Sequence, residues 1–344
     1  MLKVDPVAPE PEPIHTAAEA LRAGKLVAFP TETVYGLGAN ALDAAAIERI
    51  YHAKQRPAGD PVIAHIHQLG QLDSLAVTIP VSAYALAEAF WPGPLTLVLK
   101  RASTVPANIA TGRDTIAVRM PAHPVARVLL GEAGIPIAAP SANTFTRPSA
   151  TTAAHVLEDL AGRVDIVLDG GETTIGLEST VVDLTGERPV VLRPGGAVLA
   201  DLREVIPDVT LAPRFSENSE QETSPGQMLK HYSPRAGVMV FSGAVDAVLA
   251  AMRAAVWQHV AAGRRVGVMV ADEDRRHFEE GIVVALGSRD DLKAISHRWF
   301  AALRDLDAQG VDVILTRDFG REGLGAALWD RLLRAAEGRV IAVE

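Results

Sequence analysis

The chain has 344 residues, 48% of them hydrophobic, with a formal net charge of −9 and no cysteine. That length accommodates two ordinary domains. The missing cysteine excludes disulfides, thiolate metal sites and a cysteine nucleophile, and the acidic balance runs against a general nucleic-acid binder. Glycine and proline (28 and 22) punctuate apolar runs without forming low-complexity tracts, so order is expected nearly throughout. No apolar run approaches the roughly 20 residues of a membrane span. Residues 1–13 are acidic and proline-rich and lack the basic start and apolar stretch of a signal peptide. A cytoplasmic protein with no membrane contact is expected.

In chain order, Thr16-Ala17-Ala18-Glu19 has capping-box spacing and predicts the opening of a short helix. Leu26 to Phe29 reads as a buried strand. Asp43 is placed to cap a helix over 44–53, with Ile47 and Ile50 on one face. Val62 to Ile66, Leu95 to Leu99, Thr115 to Met120, Ile135 to Ala139, Asp165 to Leu168 and Ser179 to Leu184 read as further strands. Segments 82–90, 124–131 and 152–161 between them read as helices. This alternation predicts an α/β sheet with helices on its faces. The pattern breaks over 208–236, whose polar middle predicts a linker able to close as a lid. Strands at Val238 to Phe241, Val266 to Val270, Ile282 to Leu286 and Val311 to Leu315 then alternate with helices over 244–262, 290–308 and 323–337. The expected organisation is a first domain over 1–207, a linker over 208–236 and a smaller α/β domain over 237–344.

Familiar phosphate and hydrolase motifs are missing: there is no Walker-A loop, GxGxxG, HExxH or GxSxG. Six other segments carry polar chemistry near strand ends, where open α/β sheets bind ligands. Pro30 to Gly38 (PTETVYGLG) offers two threonines, a carboxylate and a tyrosine. Lys54-Gln55-Arg56-Pro57 puts two cations where proline forces the chain out of its helix, an arrangement that suits a triphosphate or simply a solvated helix end. Thr115, Ala117 and Arg119 share one face of a strand, so Arg119 needs either a bound anion or an internal carboxylate. His65 shares a face with Ile63. Ala139-Pro140-Ser141-Ala142-Asn143 ends a buried strand in a small, hydrogen-bonding turn. Leu177 to Thr180 leads into a strand, and Leu192-Arg193-Pro194-Gly195 ends one.

These blocks, in this order, resemble the threonylcarbamoyl-AMP synthase family in its longer, two-domain form. The resemblance rests on PTETVYGLG at 30–38, KQRP at 54–57, WPGPLTLVL at 91–99, TIAVRMP at 115–121, APSAN at 139–143, LESTVVD at 177–183, LRPG at 192–195 and SPGQMLKHYSP at 224–234. It implies a YrdC-like catalytic domain, a twisted open mixed sheet around a basic cavity, followed by a smaller Rossmann-like α/β domain. It implies the reaction of L-threonine, bicarbonate and ATP to threonylcarbamoyl-AMP and pyrophosphate. Mg²⁺ would be carried by the nucleotide, with no protein metal site. The product would pass to a tRNA threonylcarbamoyl transferase that modifies adenosine beside the anticodon, with at most a weak tRNA contact of the enzyme's own.

Carried over by motif, Thr33, His65, Arg119 and Ser179 resemble the threonine-binding positions. Arg56, Asp60, Thr115, Ala139, Ser141 and Arg193 resemble nucleotide-binding positions, joined by Lys54 and Asn143 from the Lys-x-Arg and Ser-x-Asn pairs. Lys54 and Arg56 are the expected catalytic cations. In the linker, His231 and Tyr232 match residues that fold toward the nucleotide. Asp60 departs from the family, which often has asparagine there; a carboxylate would repel phosphates unless a cation sits between them. Gln-Met-Leu-Lys before His231 departs from the Met-Lys-Tyr-Arg pattern of many relatives. The alternative reading is a tRNA or double-stranded RNA binding module without catalysis, whose affinity would fall steeply with salt. A related carbamoyl-transfer enzyme with another acceptor is a third.

Overall fold

In the computed structural model, which describes residues 1–57, 60–212 and 231–343, the first helix starts earlier than the Thr16–Glu19 spacing suggests. Pro11 opens it, because proline is pre-set for the first helical position and needs no N–H partner there. Thr16 sits mid-helix and donates to the Glu12 carbonyl at 2.9 Å. Ile14, Ala17, Ala18 and Leu21 form the buried stripe. Asp43 does cap its helix, accepting from the backbone N–H groups of Ala45 and Ala46.

Residues 1–145 and 149–212 form one compact unit. Its strands are β1 (Leu2–Lys3), β2 (Val27–Phe29), β3 (Gly36–Asn40), β4 (Ile63–His65), β5 (Ala76–Val77), β6 (Leu95–Arg101), β7 (Thr115–Arg119), β8 (Ile137–Ala138), β9 (Ile166–Asp169), β10 (Thr180–Asp183), β11 (Val190–Arg193) and β12 (Thr210–Leu211). Its helices are α1 (Pro11–Arg22), α2 (Ala44–Lys54), α3 (Leu72–Leu75), α4 (Val81–Phe90), α5 (Pro124–Ala133), α6 (Ala153–Leu160) and α7 (Leu199–Val205). Among the described residues the strands join in one mixed sheet, ordered β1-β9-β2-β3-β8-β4-β7-β6-β10-β11-β12, with β5 paired to β6. Among the differences from the sequence expectation are two further strands. Gly36–Asn40, read as loop, is a strand antiparallel to β2; its glycines admit close neighbours, since a Cβ on Gly38 would lie 2.8 Å from Phe29 Cε1 and 2.9 Å from Ile137 Cγ2. Thr210–Leu211, assigned to the linker, pairs in parallel with β11. The central part of that linker, 213–230, lies outside the described residues.

Strand alternation sends Leu95, Leu97 and Leu99 into the main core with Ile116 and Val118. The intervening residues face the other way. On that second face, α1 and α5 pack over Val27, Phe29, Ile137 and Leu168. Further along it, Ile63, Val98, Ala117 and Val181 form a small separate apolar group. This apolar floor lies beside the polar residues described below.

Residues 231–343, with Thr146–Pro148, form the second unit. Strands β13 (Gly237–Gly243), β14 (Val266–Val270), β15 (Ile282–Ala285), β16 (Val313–Arg317) and β17 (Val340–Val343) alternate with α8 (Val245–Ala261), α9 (Leu292–Ala308) and α10 (Leu324–Ala335). The sheet is ordered β15-β14-β16-β13-β17, and every pair in it is parallel. Its strands are near-continuous apolar runs, as a sheet covered on both faces requires. The Arg147 guanidinium donates to Asp307 at 2.7 Å, and the Ser233 N–H to the Thr146 carbonyl at 2.7 Å.

Candidate active site

Register alone assembles a row across five strands of the first unit, polar on four of them. His65 pairs with Arg119 across β4 and β7, and Arg119 with Thr96 across β7 and β6. Thr96 pairs with Val181, and Val181 with Arg193 on β11. Paired residues face the same side, so His65, Arg119, Thr96 and Arg193 line up beside the Ile63–Ala117 floor. His65 and Arg119 end their strands, the position expected of ligand-facing residues.

Arg119 is 4% exposed and held by three acceptors. Its Nε donates to the Gly93 carbonyl at 3.2 Å, Nη1 to Thr33 Oγ1 at 2.8 Å and Nη2 to Glu32 Oε1 at 2.6 Å. Of the two partners open to it from sequence, the internal carboxylate is therefore present. A guanidinium has five N–H donors. Three are used, so two, one on each terminal nitrogen, are unclaimed by the described residues, and a planar carboxylate is the acceptor that suits a guanidinium. Thr33 is fixed in turn by a hydroxyl–hydroxyl contact with Thr31 at 2.8 Å.

The His65 ring is buried, with Nδ1 3.2 Å from the Ile63 carbonyl. Burial first, and the Arg119 charge second, push its pKa down to about 3. The imidazole is therefore neutral at ordinary pH, and Nδ1–H donates to Ile63 while Nε2 remains an acceptor. The Ser179 hydroxyl lies 2.8 Å from Thr96 Oγ1. Arg193 clasps the same segment: its Nε and Nη2 donate to the Ser179 carbonyl at 3.2 and 2.9 Å. Gly195 lies directly on that backbone, where a Cβ would be 2.3 Å from the Glu178 carbonyl oxygen.

The Lys-x-Arg and Ser-x-Asn segments meet. The Lys54 ammonium, 1% exposed, donates to the carbonyls of Ser141 at 2.5 Å and Asn143 at 2.6 Å. The turn is anchored to the floor through the Ala139 N–H, which donates to Ile63 at 2.9 Å. Gln55 adopts a left-handed conformation (φ 55°) that ends α2. Arg56 then turns back to pair with Asp60 at 2.8 Å, both side chains buried, and donates to the Pro61 carbonyl at 2.8 Å. The carboxylate of Asp60 is thus countered by Arg56 itself. Thr115 is half-buried at the far end of the Arg119 face, four residues or about 13 Å along the strand.

The second unit carries the linker pair. His231 and Tyr232 form an edge-on contact with ring centroids 3.9 Å apart. Tyr232 packs on Phe300 at 5.4 Å and lies under the Arg331 guanidinium at 5.3 Å. The rest of the linker block, up to residue 230, is outside the described residues. Two neighbouring residues were given no partner from sequence: Glu32, read only as the carboxylate of segment 30–38 and here the counterion of Arg119, and Thr96, the partner of Ser179. Both were visible as polar residues inside apolar or glycine-rich runs, and β6 alternation puts Thr96 on the face opposite the leucines.

Comparison with known proteins follows the same outline. The family model Sua5_yciO_yrdC, described as telomere recombination, matches residues 19–195. A second, the threonylcarbamoyl-AMP synthase C-terminal domain, matches 198–337. The chain is 46% identical over 331 residues to a threonylcarbamoyl-AMP synthase of Pyrococcus abyssi, covering 96% of each. It is 41% identical over 329 residues to one of Bacillus subtilis, covering 95% of this chain and 94% of the relative. A crystal structure of P. abyssi Sua5 complexed with L-threonine superposes with a TM-score of 0.95 at 45% identity, covering 100% of this chain and 99% of that one.

Proposed function

Because the chain belongs to the Sua5/YciO/YrdC family, in the form that carries the threonylcarbamoyl-AMP synthase C-terminal domain, we propose that it makes threonylcarbamoyl-AMP from L-threonine, bicarbonate and ATP. The observation that carries this reading is the held guanidinium of Arg119, with two unclaimed donors beside a neutral histidine and two site hydroxyls. Arg119 takes the threonine carboxylate, with Thr33, His65 and Ser179 around the rest of the amino acid. Arg56, Thr115, Ala139, Ser141, Asn143 and Arg193 serve the nucleotide. Lys54 shapes the Ser141–Asn143 turn, and Asp60 acts through Arg56.

In the reaction, the threonine amine and bicarbonate give a carbamate with loss of water. A carbamate oxygen attacks the α-phosphorus of ATP, the bond to the bridging oxygen breaks, and pyrophosphate leaves. No covalent enzyme intermediate is needed. Rate comes from holding the carbamate and the α-phosphate in line and from cationic side chains that meet the developing charge. Among the described residues no group of three histidines or carboxylates stands together to hold a metal ion. Mg²⁺ would be carried by the triphosphate, whose charge it would offset. The mixed anhydride is then handed to a transferase that acts on tRNA adenosine next to the anticodon. We assign catalysis to residues 1–207, the connection to 208–236 and the second α/β domain to 237–344, in a cytoplasmic protein.

The test is pyrophosphate release from ATP with each component omitted in turn. The reading requires dependence on both threonine and bicarbonate, and loss of the threonine-dependent release on replacing Arg119 by lysine, which cannot reproduce a guanidinium's bidentate geometry. Release unaffected by omitting threonine would remove it.

A further inference from the structure

We infer that Glu32 is a positioning residue for substrate: its carboxylate aims the Arg119 guanidinium, and through it sets the affinity for the amino acid. The inference rests on the assignment of Arg119 to the threonine carboxylate and goes one step behind it. Glu32 is 7% exposed and bridges two groups. Oε1 accepts from Arg119 Nη2 at 2.6 Å, and Oε2 accepts from the Ala122 N–H at 3.0 Å. Its own backbone is tied as well, since the Glu32 carbonyl accepts from the Ile175 N–H at 2.8 Å and the Thr174 hydroxyl at 3.3 Å. The carboxylate is thus fixed from both ends before any ligand arrives.

Arg119 is fixed against it. Gly93, Thr33 and Glu32 are acceptors in three directions around one planar group, which leaves the guanidinium no free rotation. The two remaining N–H groups then have a set direction. Without Glu32, one corner of this frame is lost, and misplacing a binding group by about 1 Å can cost about a hundredfold. An opposing effect exists. Glu32 is a negative charge beside the group that receives another carboxylate, and like charges repel. Its oxygens are turned to Arg119 and Ala122, so the geometric effect dominates.

The variants Glu32→Ala and Glu32→Gln separate these contributions. Glutamine keeps one acceptor oxygen of the same reach and removes the charge. The threonine KM is expected to rise about a hundredfold in the alanine variant and about tenfold in the glutamine variant, with kcat at saturating threonine and the ATP KM moving less than about threefold. Calorimetric titration with threonine alone should give the same order. Tighter threonine binding by Glu32→Gln would make Glu32 a competing charge and overturn the inference. An unchanged threonine KM in both variants, with only a lower melting temperature, would overturn it too. The underlying reading is judged separately: unmodified protein that fails to release pyrophosphate with threonine and bicarbonate sinks the reading itself, whatever the variants do.

Discussion

His65 and Arg119 are register partners on adjacent parallel strands, which sets a titratable ring beside a fixed cation in a buried row. Burial first, and the Arg119 cation second, oppose a second proton on the imidazole, so its pKa falls from the ordinary value of 6.5 to about 3. The unfolded chain therefore binds the proton first as pH falls. The stability owed to this neutral histidine is fully present above about pH 6.5 and is lost progressively down to about pH 3. Its upper bound is of order 5 kcal/mol. Urea unfolding of wild type and His65→Asn at pH 7, 5.5 and 4.5 should show the stability difference shifting in favour of the variant as pH falls. Parallel pH profiles would remove the neutral assignment.

Lys54 is bound by carbonyl oxygens of the turn that it was expected to assist in gripping phosphate. Lys54→Met should therefore act on structure as well as on rate. Leaving buried carbonyls without a donor costs about 1–3 kcal/mol each. A lower unfolding midpoint together with weaker ATP binding is expected, measured by thermal melts and nucleotide titration. Weaker ATP binding at unchanged stability would return Lys54 to a purely ligand-facing role.

Arg56 and Asp60 form a buried pair, so each single truncation strands a charge. Breaking such a pair costs about 3–5 kcal/mol. Arg56→Ala and Asp60→Ala should each destabilise strongly, and the double variant by clearly less than their sum, with a coupling above about 1 kcal/mol. Activity should fall at least about a hundredfold in Arg56→Ala, the scale of losing one well-placed stabilising group. Additive stability effects would show that the pair is not formed in solution.

Gly195 leaves no room for a side chain: a Cβ would be 2.3 Å from the Glu178 oxygen and 2.4 Å from the Ser179 carbonyl carbon. These are backbone atoms and cannot swing aside. Gly195→Ala should displace the Ser179 segment from Thr96 and Arg193, weakening both threonine and ATP binding by about tenfold or more, with destabilisation of about 1–3 kcal/mol. Titration with each ligand separately checks it. Unaltered binding would place this contact outside the site.

Much of this architecture is legible before any coordinates, for physical reasons. Leu95 to Leu99 and Thr115 to Arg119 alternate cleanly, because each has one face in the main core and one on the site. Asp43 advertises its helix because a carboxylate before an apolar run has backbone donors to satisfy. Gly36 to Asn40 hid as a strand because glycine reads as a turn, yet here it permits Phe29 and Ile137 to come close. Thr210–Leu211 hid because two residues carry no period. The site's cations were visible singly, but their partners were not. That Glu32 neutralises Arg119 and Asp60 neutralises Arg56 depends on contacts across β7 and around the turn after α2, which no local pattern encodes.

In the proposed function the Arg119 row holds an amino-acid carbamate against the α-phosphate of ATP. The most direct measurement is mass spectrometry of a reaction containing ¹³C-bicarbonate, L-threonine and ATP. The expected product is an adenylate carrying both threonine and the labelled carbon, formed with pyrophosphate and abolished in Arg119→Ala. ATP turnover that yields AMP or ADP with no labelled threonine adduct would contradict it.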